Sequence, residues 1–367
     1  MEKYDIGIMT FWNVPNYGTF AQAYALQRVL QNLNENKCVR QIAHLDKKHY
    51  NFYYDKKAYL RTFPVWKKSF WKSFFVKNNN SDIDRLNMFL EAYNSIPHTK
   101  EIQYNNASEC IFEKVFLGSD IIWDYSLKPF NNDPMLFGGL LNSKQVNSYA
   151  ASFGTIALNA EIPEYVAKYI NEMKYISVRD EKSADIVEKI SGTRPEVVLD
   201  PVWLWDFDND SNVKMPNEEK YVLVYGQNFT DKFICNLLKY ARENKYKIIA
   251  LDCNHDEYEW CDRLIKQSEL SPYEWIGYFK GASAVATSTF HGLTFGLLFK
   301  NKIAFCKTDF IVAKIKDQFE KLELLDLLDG GDDVNRMFSR EWDYSKIDEC
   351  INREREVSLL FLKKACE

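Results

Sequence analysis

The residues best suited to chemistry lie together at 287–292: Thr287, Ser288, Thr289, Phe290, His291 and Gly292. The apolar run Ala284-Val285-Ala286 before them reads as a buried strand, and Gly292 opens a helix-like run as far as Phe299. A strand that ends in polar side chains where a helix begins places them at the carboxyl edge of an α/β sheet, where ligands bind. The first N–H groups of such a helix attract anions. The chain has only five histidines, and imidazole is the side chain that exchanges protons near neutral pH. From spacing alone, His291 reads equally well as a histidine held by structural hydrogen bonds. A second cluster, Cys253, His255, Asp256 and Cys261, offers metal-ligating types, but its spacing matches no familiar zinc pattern. The expectation there is no metal. The eight cysteines are scattered without a CxxC pair and read as reduced, mostly structural thiols.

The elements that must position such a corner recur along the chain. Residues 4–10 read as a buried strand. A turn through Asn16, Tyr17 and Gly18 leads into a helix over 20–34, where Ala21, Ala25, Leu26, Val29 and Leu30 share one face. One glycine in that turn is too little for a dinucleotide fingerprint. Strands follow at 115–120, ending in Gly118-Ser119-Asp120, and at 146–154. A helix over 162–173 precedes a strand at 175–180 that ends in Arg179-Asp180. A helix over 181–190 then leads to a strand at 195–199, closed by Asp200-Pro201. The polar stretch 206–219 reads as a hinge, after which strand 221–225, helix 230–243 and strand 248–251 restart the alternation. The spacing therefore predicts an α/β fold of two Rossmann-like domains, 1–205 and 220–340, joined by the linker 206–219. A C-terminal helical segment, 341–367, is expected to pack back on the N-terminal domain. Two such sheets would set a cleft between their carboxyl edges.

Composition narrows the class. A chain of 367 residues with 46% hydrophobic and 27% charged residues suits a globular protein of two ordinary domains. It contains no run of about 18 apolar residues and its N-terminus lacks the features of a signal peptide, so a cytoplasmic location is expected. A net charge of −5 argues against general nucleic-acid binding, though not against a local basic pocket for a small anion. The segment 47–100 interrupts the α/β pattern, and its part 47–77 interleaves nine Lys and Arg with aromatic residues. The expectation is a helical insertion whose aromatics pack on the domain while the lysines stay wet. The alternative is a segment that sits peripherally on the inner face of a membrane or grips an anionic partner.

Five stretches, in order, resemble the polysaccharide pyruvyl transferase family. They are Ile6-Gly7-Ile8 with Asn16-Tyr17-Gly18 and 22–27; Gly118-Ser119-Asp120 with Trp123; 148–154; 177–180 with Asp200-Pro201; and 287–292. The resemblance implies a glycosyltransferase-B-like fold with the donor in the interdomain cleft. It also implies transfer of the enolpyruvyl carbons of phosphoenolpyruvate onto two hydroxyls of a sugar. The product would be a pyruvate ketal on a surface-polysaccharide precursor, with release of phosphate and no metal or organic cofactor.

By similarity, Arg179 and His291 are the catalytic pair. Arg179, Ser288, Thr289, His291, Gly292 and Lys314 would bind the donor, with Lys307 the competitor of Lys314. Asn16, Tyr17, Ser119, Asp120 and Trp123 would meet a sugar or lipid-linked acceptor. Structural alternatives are a salt bridge from Arg179 to Asp180 or Asp185, and a solvated helix face for Lys314. Two positions depart from the family pattern: Thr289 stands where relatives usually carry Arg, and Thr19 where many carry Asp. A nucleotide-sugar glycosyltransferase and a non-catalytic sugar-binding relative are the alternatives on the same architecture. Acceptor sugar and oligomeric state are left open by the sequence.

Overall fold

The computed structural model describes residues 1–75, 80–253 and 258–367, apart from the side chains at 80–82, 310, 313 and 314. Lys77, His255 and Asp256 therefore lie outside the described residues, as does the side chain of Lys314. The chain forms two compact units: Met1–Ile83, Phe89–Trp205 and Val357–Glu367 make the first, and Asp84–Met88 with Asp206–Glu356 the second.

The first unit begins with strand β1 (Glu2–Met9), helix α1 (Tyr17–Leu33) and strand β2 (Val39–Ala43). Helices α2 (Lys47–Tyr54), α3 (Lys56–Arg61), α4 (Lys68–Lys72) and α5 (Asn80–Asn94) follow. Strands β3 (His98–Glu101), β4 (Cys110–Leu117) and β5 (Asn142–Ser148) complete the main sheet. Its order among the described residues is β3-β2-β1-β4-β5, parallel throughout. Helix α6 (Glu164–Glu172), strand β6 (Ser177–Val178), helix α7 (Glu181–Ser191) and strand β7 (Glu196–Val197) extend it through single bridges such as Asn147 to Tyr175 and Ala151 to Val178. The segment expected to be an insertion over 47–100 is thus interrupted at its end, because His98–Glu101 pairs with β2 as a sheet strand.

Strands buried on both faces by crossover helices must be apolar on both. Ile6 and Ile8 of β1 accordingly pack with Leu26 and Leu30 of α1, while Met9, Val115 and Leu117 pack with Trp123, Phe137 and Phe153.

The second unit repeats the plan. It contains β8 (Tyr221–Tyr225), α8 (Asp231–Asn244), β9 (Lys247–Leu251), β10 (Arg263–Ile265), α9 (Pro272–Gly281), β11 (Ala284–Thr287) and α10 (Phe290–Leu298). After these come β12 (Lys302–Phe305), α11 (Asp309–Lys321), α12 (Val334–Phe338) and α13 (Tyr344–Cys366). The order β10-β9-β8-β11-β12 is again parallel throughout. Both sheets are therefore Rossmann-like, with strand order reversing beside the first strand of each. From Val357 onward α13 belongs to the first unit, where Phe361, Leu362, Ala365 and Cys366 join the core beside Leu30, Phe116 and Tyr149. Among the described residues, no helix is long and apolar enough to cross a membrane.

Candidate functional site

In an open parallel sheet the crevice lies outside the carboxyl ends of the strands where the order reverses. In the first unit those strands are β1 and β4, and the residues just beyond them are polar and buried. The Thr10 hydroxyl donates to the Ser119 carbonyl (3.2 Å) and accepts from the Gln22 amide (3.0 Å). The Ser119 hydroxyl reaches the Ala150 carbonyl (3.0 Å) and Asp200 Oδ2 (3.3 Å). Arg179 Nη1 donates to that same Asp200 oxygen at 3.0 Å, while Nη2 lies 3.6 Å from Asp120 Oδ1. Asp120 in turn accepts from the Thr19 hydroxyl at 3.1 Å.

Only 4% of Arg179 is exposed. Burial by itself would weaken its charge, but the carboxylates of Asp120, Asp200 and Asp180 outweigh that and hold the guanidinium pKa above its ordinary value. The structural alternative for Arg179 was an ion pair to Asp180 or Asp185; its carboxylate contacts at Nη1 and Nη2 are instead to Asp200 and Asp120, and Asp185 pairs with Arg194. Chain geometry explains this choice. Asp180 turns its Oδ1 to the Ser183 N–H as the N-cap of α7 (2.8 Å), and its Oδ2 accepts from the Ser152 hydroxyl (2.6 Å).

The expected acceptor residues fall into two groups. Asn16 is exposed and caps α1 by accepting from the Thr19 N–H at 3.1 Å. Tyr17, Ser119 and Asp120 are buried, Asp120 at a positive φ of 70°. Trp123 departs furthest from the expectation. It is a fully buried core residue, its ring stacked 6.0 Å from Phe137 and its indole N–H donating to the Leu136 carbonyl. Its neighbours Ile122 and Phe153 are apolar, so hydrophobic burial decided its place. Asp200, Thr10 and Gln22 received no role from sequence. Their common signal is a polar side chain within a residue or two of a strand end or on the buried face of α1.

In the second unit the reversal lies between β8 and β11, and the corner there is built from neutral hydroxyls. The Thr287 hydroxyl donates to the Tyr225 carbonyl (2.6 Å), and the Ser288 hydroxyl donates to the Gln227 carbonyl (2.8 Å). Ser288 Oγ also accepts from the Gln227 N–H (2.9 Å). These bonds tie the ends of the two strands together. Gly226, at φ +152°, leaves room for them, since a Cβ there would collide with the Ser288 hydroxyl. The helix begins two residues earlier than the glycine suggested, because Thr289 is its N-cap and accepts from the Gly292 N–H at 3.0 Å. His291 thus sits within the first turn of α10 rather than ahead of it. Its ring lies 4.8 Å from Phe290, and the residue is half-buried. A helix N-terminus without an acidic residue in its first turn is an electropositive end suited to an anion. Lys307 follows β12 and is exposed.

Cys253 and Cys261 are both partly buried, with the Cys261 thiol pushed up to about 12 by burial and by Asp262. Among the described residues, no group of three His, Cys, Asp or Glu side chains is gathered as a metal would require.

Two parallel sheets, each with a polar corner at its strand reversal, define a chain built on the Rossmann plan. The polysaccharide pyruvyl transferase family model matches residues 16–300. The protein belongs to that family and is a transferase. No curated protein sequence matches it. Among solved structures it is similar to the UDP-GlcNAc 2-epimerase of Neisseria meningitidis bound to UDP-GlcNAc, at 10% identity and TM-score 0.46, covering 99% of this chain and 100% of that one. It is also similar to the UDP-GlcNAc 2-epimerase of Methanocaldococcus jannaschii, at 11% identity and TM-score 0.45, covering 95% and 92%. The E. coli heptosyltransferase WaaC with ADP gives 10% identity and TM-score 0.39, covering 82% and 86%.

Proposed function

We propose that this transferase moves the enolpyruvyl group of phosphoenolpyruvate onto two hydroxyls of a sugar in a surface-polysaccharide precursor. The product is a cyclic pyruvate ketal. C3 of the donor gains a proton, two sugar oxygens bond to C2, and the bond from C2 to the phosphate oxygen breaks. The two hydroxyl protons end on C3 and on the departing phosphate, so the sum balances without a redox partner or a metal.

The observation that carries this reading is the corner at 287–292. There a half-buried imidazole in the first turn of a helix directly follows hydroxyls already anchored to the neighbouring strand. In this reading Ser288, Thr289 and Gly292 present the helix end to the donor's anionic groups. His291 moves the proton, because imidazole is the group that titrates near neutral pH. Lys314 or Lys307 is the further donor-binding cation in this reading. Arg179 acts from within its buried pairs, as a positioning residue that holds Asp120 and Asp200. Asn16 and Asp120 face the acceptor.

The test is release of inorganic phosphate from phosphoenolpyruvate in the presence of pyruvyl-acceptor glycans, with and without chelator. The reading requires release that chelator leaves unchanged. Stabilisation against heat by a nucleotide sugar but not by phosphoenolpyruvate would favour a glycosyltransferase instead. The variant Thr289→Arg restores the residue that relatives carry. It should tighten phosphoenolpyruvate binding about 10- to 150-fold, the worth of one charge-assisted hydrogen bond.

A further inference from the structure

Helices α3 and α4 differ from every expectation of a packed insertion, because neither contains a buried residue. Residues 56–75 carry six cations, Lys56, Lys57, Arg61, Lys67, Lys68 and Lys72, and no Asp or Glu. All six are exposed. Between them stand Trp66 (79% exposed), Trp71 (58%), Phe74 (57%) and Phe75 (83%). So much exposed aromatic surface in one short stretch is unfavourable in water and marks an interaction site.

The base of this segment is secured to the first unit. The Tyr54 hydroxyl donates to the Asn13 carbonyl (2.5 Å), and Lys48 Nζ donates to the Asn131 carbonyl (2.9 Å). Lys128 Nζ lies 3.6 Å from the Phe63 ring centre and donates to the Thr62 carbonyl (3.0 Å). Within the segment the Trp71 indole donates to the Val65 carbonyl (2.7 Å), and Phe70, Trp71 and Phe74 pack on one another at 5.7 to 5.9 Å. The exposed rings thus stand on an ordered local scaffold.

We propose that residues 56–75 are a docking surface for an anionic lipid bilayer. Charge complementarity selects this occupant. The stretch carries +6 in a chain whose net charge is −5, so a negatively charged plane is drawn to this stretch in preference to the rest of the surface. Trp and Phe settle at the headgroup boundary, while lysine stems follow them and keep their ammonium groups in water. A second copy of the chain is disfavoured, because pairing this patch with itself would oppose six cations to six, and lysine is depleted at protein interfaces. A nucleic-acid strand would favour arginine, which stacks on bases, whereas five of the six cations here are lysine.

The test is sedimentation of the full chain with vesicles of phosphatidylcholine alone and of phosphatidylcholine mixed with phosphatidylglycerol, each at low and high salt. The expected result is binding at least about ten-fold tighter to the anionic vesicles, weakening steeply with salt. The triple variant Lys67→Gln/Lys68→Gln/Lys72→Gln should lose about 100-fold, and Trp66→Ala/Phe75→Ala roughly 10-fold, with thermal unfolding unchanged because all five side chains are exposed. Equal binding to both vesicles, no binding, or wild-type binding by the variants would overturn the proposal. So would a concentration-dependent dimer, or capture of a single-stranded oligonucleotide, that the same variants abolish.

Discussion

The two corners where strand order reverses solve one problem in opposite ways. Beyond β1 and β4, in the first unit, the polar groups are charged, buried and bonded to one another: Arg179 pairs with Asp200 and Asp120, and those carboxylates also accept from the Thr19 and Ser119 hydroxyls and from the Ile121 and Val202 N–H groups. Beyond β8 and β11, in the second, they are neutral hydroxyls tied to backbone carbonyls, followed by a half-buried histidine in the first turn of a helix. A closed ionic network resists displacement, because any ligand must replace bonds already made. A neutral corner at a helix end keeps its electropositive field for whatever arrives. Under the proposed function, the second corner takes the reacting donor, while Arg179 in the first holds the carboxylates in place.

The sharpest way to break that assignment is a pair of substitutions. His291→Ala should lower turnover about 10²- to 10⁴-fold, with a much smaller change in KM, as loss of a positioned proton-transfer group does. Its unfolding free energy should change by no more than about 1 kcal/mol, since the residue is only half-buried. Steady-state phosphate release and urea denaturation read the two quantities on one preparation. Full activity in His291→Ala removes the histidine from the chemistry.

Arg179→Met should do the reverse. Removing one partner of a buried ion pair leaves Asp200 and Asp120 uncompensated, at a cost of about 3–5 kcal/mol, seen as a lower urea midpoint. Arg179→Lys should recover part of the loss, because one ammonium cannot reproduce both contacts of the guanidinium. A stable, well-folded Arg179→Met with greatly weakened phosphoenolpyruvate binding would instead place the arginine at the donor.

Acid offers a smaller and separate handle on the first unit. His49 packs between Phe11 and Phe130, and burial, aided by nearby His44, pushes its pKa down to about 3. The unfolded chain takes up that proton near 6.5 and the folded chain only near 3, so His49 subtracts stability as pH falls between those values. The slope is about 1.4 kcal/mol per pH unit. His44 opposes it. Burial lowers its pKa, yet the hydrogen bond to Asp133 at 2.9 Å and that carboxylate's charge more than offset this and raise it. The stability that His44 contributes is complete below the unfolded value and is lost as pH rises through the raised folded one. Urea titrations of His49→Phe across pH 4 to 6.5 should show a shallower acid dependence than wild type, by about 1 kcal/mol per pH unit. An unchanged slope would mean that His49 takes up its proton in the folded state near its ordinary value.

Much of the architecture was legible because periodicity reports on it directly. The apolar runs at 221–225 and 284–286, the helix face of Ala21, Leu26 and Leu30, and the Asp200-Pro201 stop all correspond to elements of the structure. Strands β2, β3 and β10 were missed. They are short edge or near-edge strands whose pairing, rather than their own pattern, makes them strands.

The sequence by itself determined that the chain alternates strand and helix, that it restarts after a polar joint, and that hydroxyls and a histidine crowd one strand end. These are local properties, set by side-chain type and spacing. What only the tertiary structure decided is which partners those side chains meet. Arg179 chose Asp200 and Asp120, from 21 and 59 residues away, over its neighbour Asp180, because Asp180 is occupied in capping α7 and Ser152. Trp123 went to the core instead of the surface. Trp66, Trp71, Phe74 and Phe75 stayed in solvent where packing was expected, while Tyr59, Phe63 and Phe70 are only half-buried. Burial and ion pairing are settled by what converges in space, and sequence spacing carries no direct measure of that.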